Sequence, residues 1–198
     1  MAGIYSAYYS QQKSYITQDQ VAAMQQNLRA AMYVMQREIR MAGCDPTRKA
    51  DAEITTADTN SISFTEDIRG DTEGSDPDGD TDDPNEDITY SLDDNDDDGD
   101  NDLERNGNLI AENIDALNFV YLGEAGVLDD DGNGNVVASI PLIRSVQITI
   151  VARTGRGDPG YTNNISYQNQ WGTIYTAPGD DLRRKRLTTE VKCRNLGL

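Results

Sequence analysis

Residues 20–46 read QVAAMQQNLRAAMYVMQREIRMAGCDP, and the spacing within them decides the fold. Val21, Met24, Leu28, Ala31, Met35, Ile39 and Ala42 recur at steps of three or four, which keeps one apolar side chain per turn on a single face of an α-helix. Gly43 is suited to end that helix in a left-handed conformation, and Pro46 prevents its resumption. Upstream, neither Pro nor Gly interrupts the chain between Gly3 and Gly43, so the helix is expected to run back to the beginning. At about 1.5 Å per residue it would be about 60 Å long, more than a small domain can bury.

The half before Gln20 lacks a continuous apolar face: Tyr5, Tyr8, Tyr9, Tyr15 and Ile16 sit among Ser, Gln and Lys. The chain therefore divides into an exposed helical stalk, 1–19, and a single globular domain, 20–198. Two occupants suit the free half. One is a second helix of the same kind in a bundle or coiled coil. The other is an apolar segment preceding the stalk, with Met1-Ala2-Gly3 an expression start and Tyr5, Tyr8, Tyr9 and Lys13 the aromatic belt beside a bilayer. The rest of the chain favours the second.

Charge is distributed unevenly. The net value is -18, and the window Glu66–Glu104 holds 19 acidic residues against one basic residue, Arg69; the remainder carries 16 of each sign. Such a window repels phosphate, so nucleic acid is an unsuitable partner. No stretch is long and apolar enough to span a membrane. Two cysteines, Cys44 and Cys193, lie at the helix end and near the C-terminus. They could form one disulfide fastening the last strand to the helix, or remain two small buried thiols.

Beyond Pro46 the pattern is β-rich. Ser61–Thr65, Asp87–Leu92, Asp115–Leu122, Arg144–Ala152 and Arg184–Arg194 alternate with period two. Leu103–Arg105 and Asn108–Ala111 flank Asn106-Gly107, a dipeptide suited to a type I′ hairpin because both residues tolerate positive φ. Gly155–Asp181 is polar and bears Tyr161, Tyr167, Trp171 and Tyr175, consistent with a loop holding one short hairpin. An antiparallel sheet needs one face covered, and the Val21–Ala42 seam is the candidate cover. The fold class is α+β, a long helix on antiparallel sheet.

Three acidic loops have the spacing of calcium ligands. Asp94, Asp96, Asp98, Gly99, Asp100 and Asp102 occupy positions 1, 3, 5, 6, 7 and 9 of a calcium loop; Asp129, Asp131, Asn133, Gly134 and Asn135 occupy positions 1, 3, 5, 6 and 7 of another. Asp76, Asp78, Asp80 and Asp82 repeat the alternation around Gly79, although Pro77 and Pro84 are expected to keep that loop extended. Calcium takes six to eight hard oxygens, alternate residues of a curling loop point inward, and Gly permits the sharp turn. The bidentate Glu of an EF-hand is replaced by Arg105 and Ile140, and strands flank the loops. The opposing reading is solvated acidic loops without an ion. One to three Ca2+ ions are expected.

Taken in order, these segments resemble the type IV pilin superfamily, and more narrowly the PilW-like minor pilins and the J-type minor pseudopilins of type II secretion. Gln25–Ala31 with Arg37–Pro46 is similar to the family's helix end. Ile88–Leu92, Leu103–Gly107, Ile114–Tyr121 and Ile143–Ile150 are similar to its strands, and Arg186–Asn195 to its last one. The resemblance implies a prepilin anchored in the inner membrane by its helix, facing the periplasm and then packed helix to helix into a surface filament. Partners would be other minor pilins or the major pilin, reached through Tyr5, Tyr8, Tyr9, Tyr15 and Ile16, and a tip adhesin. The cleavage site, the acidic residue near the mature start and the apolar half-helix are absent, and the acidic insertions are additional.

Enzymatic readings fare poorly. With no His, an ordinary Ser or Cys triad is excluded, and the carboxylate pairs lie in hydrophilic loops that would not raise one pKa for glycoside cleavage. Gly155, Gly157 and Gly160 precede no helical pattern, so no phosphate loop forms. A calcium-dependent binding module using Tyr161, Tyr167, Trp171 and Tyr175 is the alternative to a structural subunit.

Overall fold

Helix α1 runs unbroken from Ala2 to Ile39 in the computed structural model, which describes residues 2–72, 74–94 and 100–196. Its C-terminal end tightens: Met41 N–H donates to Glu38 O and Cys44 N–H to Met41 O, each at 2.8 Å. Gly43 then takes φ of 75°, and its N–H leaves the helix to donate to Thr65 O at 3.0 Å. A side chain there would be strained by the backbone angle and would also meet Leu196. The expected seam is the one buried. Met24, Leu28, Ala31, Met35, Ile39 and Ala42 are all in the core, with Met32 beside them and Val21 packed at the edge.

The strands that follow form two main sheets. The first is a meander in chain order, β1 (Ile54–Ala57), β2 (Ile62–Thr65), β3 (Asp87–Asp93), β4 (Asp102–Arg105) and β5 (Asn108–Ala111), antiparallel throughout. At the β4–β5 turn Asn106 and Gly107 have φ of 51° and 71°, the expected left-handed pair. The second sheet uses β6 (Ile114–Gly123), β7 (Gly126–Val127), β8 (Ser145–Arg153) and β11 (Arg184–Lys192) in the order β11-β8-β6-β7. Between β8 and β11, β9 (Ser166–Gln168) and β10 (Thr173–Thr176) make the single hairpin expected within Gly155–Asp181.

Alternation explains why these sheets bury one face. Ile62 and Phe64 of β2, Ile88 and Tyr90 of β3, Phe119 and Tyr121 of β6 and Ile148 and Ile150 of β8 are fully buried. The helix seam packs on β8 and β11 and reaches β5, while β3 and β4 meet β6. The helix is thus not the sole cover: the two sheets also cover each other. Tyr121 ties them, its hydroxyl donating to Asp58 O at 2.8 Å.

Candidate functional site

Two regions carry the residues that the sequence singles out: the free half of α1, and the acidic connections between strands. On the helix, Tyr5, Tyr8, Tyr9, Tyr15 and Ile16 are exposed, Tyr5 to 79%. The most N-terminal polar tie between α1 and the rest of the domain, among the described residues, is at Lys13. Its ammonium donates to Pro159 O and lies 3.7 Å from the Asp158 carboxylate, which Arg183 holds at 2.6 Å. The domain thus grips the helix upstream of the point where the apolar seam begins.

The acidic loops behave differently from one another. In 94–102, Asp96 and Asp98 lie outside the described residues. Asp100 is 2.5 Å from Arg153 Nη2, and Asp102 is buried, its carboxylate accepting the Asn113 N–H at 2.9 Å. In 129–135 the acidic side chains take the loop's own donors. Asp129 Oδ1 accepts the N–H groups of Gly132 and Gly134 at 2.8 and 2.9 Å. Asp131 accepts Asn133 N–H at 2.8 Å and Asn135 Nδ2–H at 2.7 Å, which with further bonds from those residues holds its carboxyl down at about 2. Asn135 turns its own oxygen to Thr59 N–H at 2.9 Å.

The loop expected to be extended curls as well. Gly79, at φ of 102°, folds it onto Thr47 and Lys49, a turn that Pro77 and Pro84 do not prevent because neither occupies its apex. The oxygens of Asp78, Asp80 and Asp83 then lie within 4.8 Å of one another, a spacing suited to a shared metal ion. Asp76 and Asp82 stay exposed and outside this group. Asp83, which the alternating spacing does not include, is buried. Nearby, burial together with the charges of Glu38 and Glu86 pushes the Glu66 carboxyl up to about 7.

In place of the expected Cys44–Cys193 bond, both thiols are free. Cys193 is drawn into the core, where desolvation pushes its thiol up to about 12. The C-terminus is fastened to the helix end by other means: Asn195 Nδ2–H donates to Met41 O at 3.2 Å, and Leu196 fills the space against Gly43.

The aromatic residues of the long connection are largely engaged. The Arg183 guanidinium sits 4.3 Å over the Tyr161 ring, Tyr167 and Tyr175 lie 6.4 Å apart, and the Tyr175 hydroxyl donates to Asp115 at 3.2 Å. Arg184, whose side chain is 1% exposed, bridges Asp115 and Asp180 at 2.6 and 2.5 Å. Of these aromatics, Trp171 is the one left substantially in solvent.

Spacing also gave no sign of a partly buried polar triad. Glu38 on α1 receives Tyr90 Oη–H at 2.6 Å from β3 and Arg105 Nε–H at 2.8 Å from β4. Tyr90 and Arg105 are direct register partners, so one helix residue meets two adjacent strands.

No protein-family model matches the sequence. No curated protein matches it either. The structure is similar to that of a type IV-like pilin, TTHA1219 from Thermus thermophilus, with a TM-score of 0.58 and 14% sequence identity over 87% of this chain and 96% of that one.

Proposed function

From the type IV pilin-like fold of this chain, we propose that it is a non-enzymatic structural subunit of a type IV pilus-type filament. It occupies a minor, initiating or tip position, as in PilW-like minor pilins. The observation that supports this is the division of α1. The apolar face of its second half is buried against the sheets, whereas Tyr5, Tyr8, Tyr9, Tyr15 and Ile16 stand exposed on a helix whose most N-terminal polar tie, among the described residues, is at Lys13. A protein that used the helix solely as core would have no reason to expose five large apolar groups on it.

In this reading an apolar segment preceding the stalk anchors the subunit in the inner membrane, facing the periplasm, until the helix packs against those of other pilins. No helix among the described residues is itself long and apolar enough to cross a membrane. The acidic loops take calcium, which lowers the cost of concentrating 19 acidic residues in Glu66–Glu104.

The test is genetic and biochemical. Deleting the gene should reduce filament number per cell, and the subunit should appear in sheared filaments at a small fraction of the major component. A strain with normal filaments but defective protein secretion would point instead to a type II pseudopilus. Normal filaments and normal secretion would refute a filament role.

A further inference from the structure

The connection from β2 to β3 gathers more carboxylate than the three oxygens already described. Asp67, two residues after β2, and Glu86, at the mouth of β3, are both wholly buried. Each is fixed by one oxygen and leaves the other without a hydrogen bond. Asp67 Oδ2 accepts Thr47 Oγ1–H at 3.0 Å while Oδ1 has no partner. Glu86 Oε1 accepts the N–H groups of Ile68 and Arg69 at 2.7 and 2.9 Å while Oε2 has none. Asp83, nine-tenths buried and within the oxygen cluster of Asp78 and Asp80, likewise has an unpartnered Oδ2. Among the described residues no Lys or Arg pairs with any of these five carboxylates.

Five neighbouring carboxylates, three of them (Asp67, Asp83 and Glu86) buried, are a poor arrangement without a cation. An unpaired buried carboxylate costs several kcal/mol or is driven to protonate, and neighbours of like sign increase the penalty. Backbone contacts place them together: Glu86 N–H donates to Asp83 O at 3.2 Å, and Thr47, whose hydroxyl donates to Asp67, lies against Gly79 between Asp78 and Asp80. A cation resolves this. The donor set is entirely hard oxygen, and the chain contains no His. Cys44 is not among the clustered donor atoms, so the set offers no soft ligand.

We propose that this cluster is a calcium-type divalent cation site in which Asp78, Asp80 and Asp83 are the ligands and the free oxygens of Asp67 and Glu86 supply the buried charge beside them. The proposal deepens the calcium part of the functional reading and assigns it to a set that alternating spacing does not pick out. The site also joins distant parts of the chain. Asp67 N–H donates to Cys44 O at 2.7 Å, and Gly79 rests on Thr47 and Lys49. An ion there clamps the acidic connection over the end of α1.

The experiment is calcium titration by calorimetry, with thermal melts in calcium and in chelator, on the wild-type chain and three variants. Asp83→Asn should weaken calcium binding by about tenfold or more and abolish most of the calcium-dependent rise in Tm. Its chelated form should melt no lower than the chelated wild type, because a repulsive charge has gone. Glu86→Gln, which retains an oxygen for Ile68 and Arg69, repeats the test should Asp83→Asn fold poorly. Glu124→Gln, at an exposed position outside the acidic loops, is the control and should leave this binding step unchanged. If calcium binds the wild type and both Asp83→Asn and Glu86→Gln equally well, the site assigned here is wrong although calcium binding survives. If calcium binds none of the proteins, the calcium reading falls as well, while the filament role, tested in cells, is untouched.

Discussion

Tyr90 Oη donates a 2.6 Å hydrogen bond to Glu38 Oε2, the same oxygen that receives Arg105 Nε–H at 2.8 Å. This sets the rotation of α1 over the first sheet, because a single carboxylate on the last turns of the helix is held from two adjacent strands. The apolar seam alone would tolerate small rotations; a shared oxygen would not.

Removing the two sides of this contact should have unequal effects. Tyr90→Phe leaves Glu38 paired with Arg105 and should cost about 1 kcal/mol, the usual net worth of one hydrogen bond. Glu38→Ala leaves the Arg105 guanidinium, 16% exposed, without its charged partner and with only the Asn85 oxygen, and should cost about 3 kcal/mol. Urea unfolding measures both, and equal losses would mean that Arg105 does not depend on Glu38.

Helix residues on either side of the division should respond differently to truncation. Met35→Ala removes a side chain of 0% exposure and should cost about 3 kcal/mol through lost burial and the cavity left behind. Tyr8→Ala, at an exposed position, should stay within about 0.5 kcal/mol of wild type in the same assay.

Acid should loosen the grip of the domain on the stalk. The Asp158 carboxyl is held below its ordinary value by hydrogen bonds from Arg183, with the charges of Arg183 and Lys13 adding to the effect; Arg184 does the same for Asp180. A carboxylate whose folded pKa is depressed contributes stability that is fully present above its unfolded value, near about 4, and is lost as pH falls through the folded value. Thermal melts from neutral pH downward should therefore show a loss beginning below about pH 4. Asp158→Asn should start from a lower Tm at neutral pH and lose less across the acid window. An identical acid slope in wild type and variant would contradict this.

The thiols offer a simple check on the C-terminus. Cys193 is buried and its thiol is raised to about 12, so iodoacetamide at mild alkaline pH should leave it unmodified in the folded protein. Both Cys44 and Cys193 should react once the chain is unfolded without reductant. Failure of either to react under those conditions would show that they are bonded.

How far the sequence could be read depended on how local each signal was. The steps between Val21 and Ala42, the alternation in β3, β6, β8 and β11 and the Asn106-Gly107 turn are short-range patterns, and each became the element it implied. The splitting of the strands into two sheets was not legible, because period-two alternation fixes which face is buried but not what covers it. β1 was hidden for a related reason: Ile54-Thr55-Thr56-Ala57 is too short to show a period. The acidic connection between β2 and β3 gave the least away. Alternating Asp residues pointed to Asp76, Asp78, Asp80 and Asp82, yet the chain turns at Gly79 and brings in Asp83, while Asp67 and Glu86 arrive from strand ends. Glu38 and Tyr90, 52 residues apart, form a contact that only the assembled fold defines.

The central claim, that the exposed half of α1 is a filament-assembly surface, is tested most directly by a photo-crosslink from within it. p-Benzoylphenylalanine placed at Tyr8 in the protein, expressed in its own cells, should on irradiation yield a covalent adduct in the sheared filament fraction. Mass spectrometry should identify the attached peptide as the N-terminal helix of another pilin-type subunit. A parallel probe at the buried Met32 should give no such adduct. Capture at Tyr8 only of this chain's own domain, or complete absence of the protein from filaments, would contradict the account.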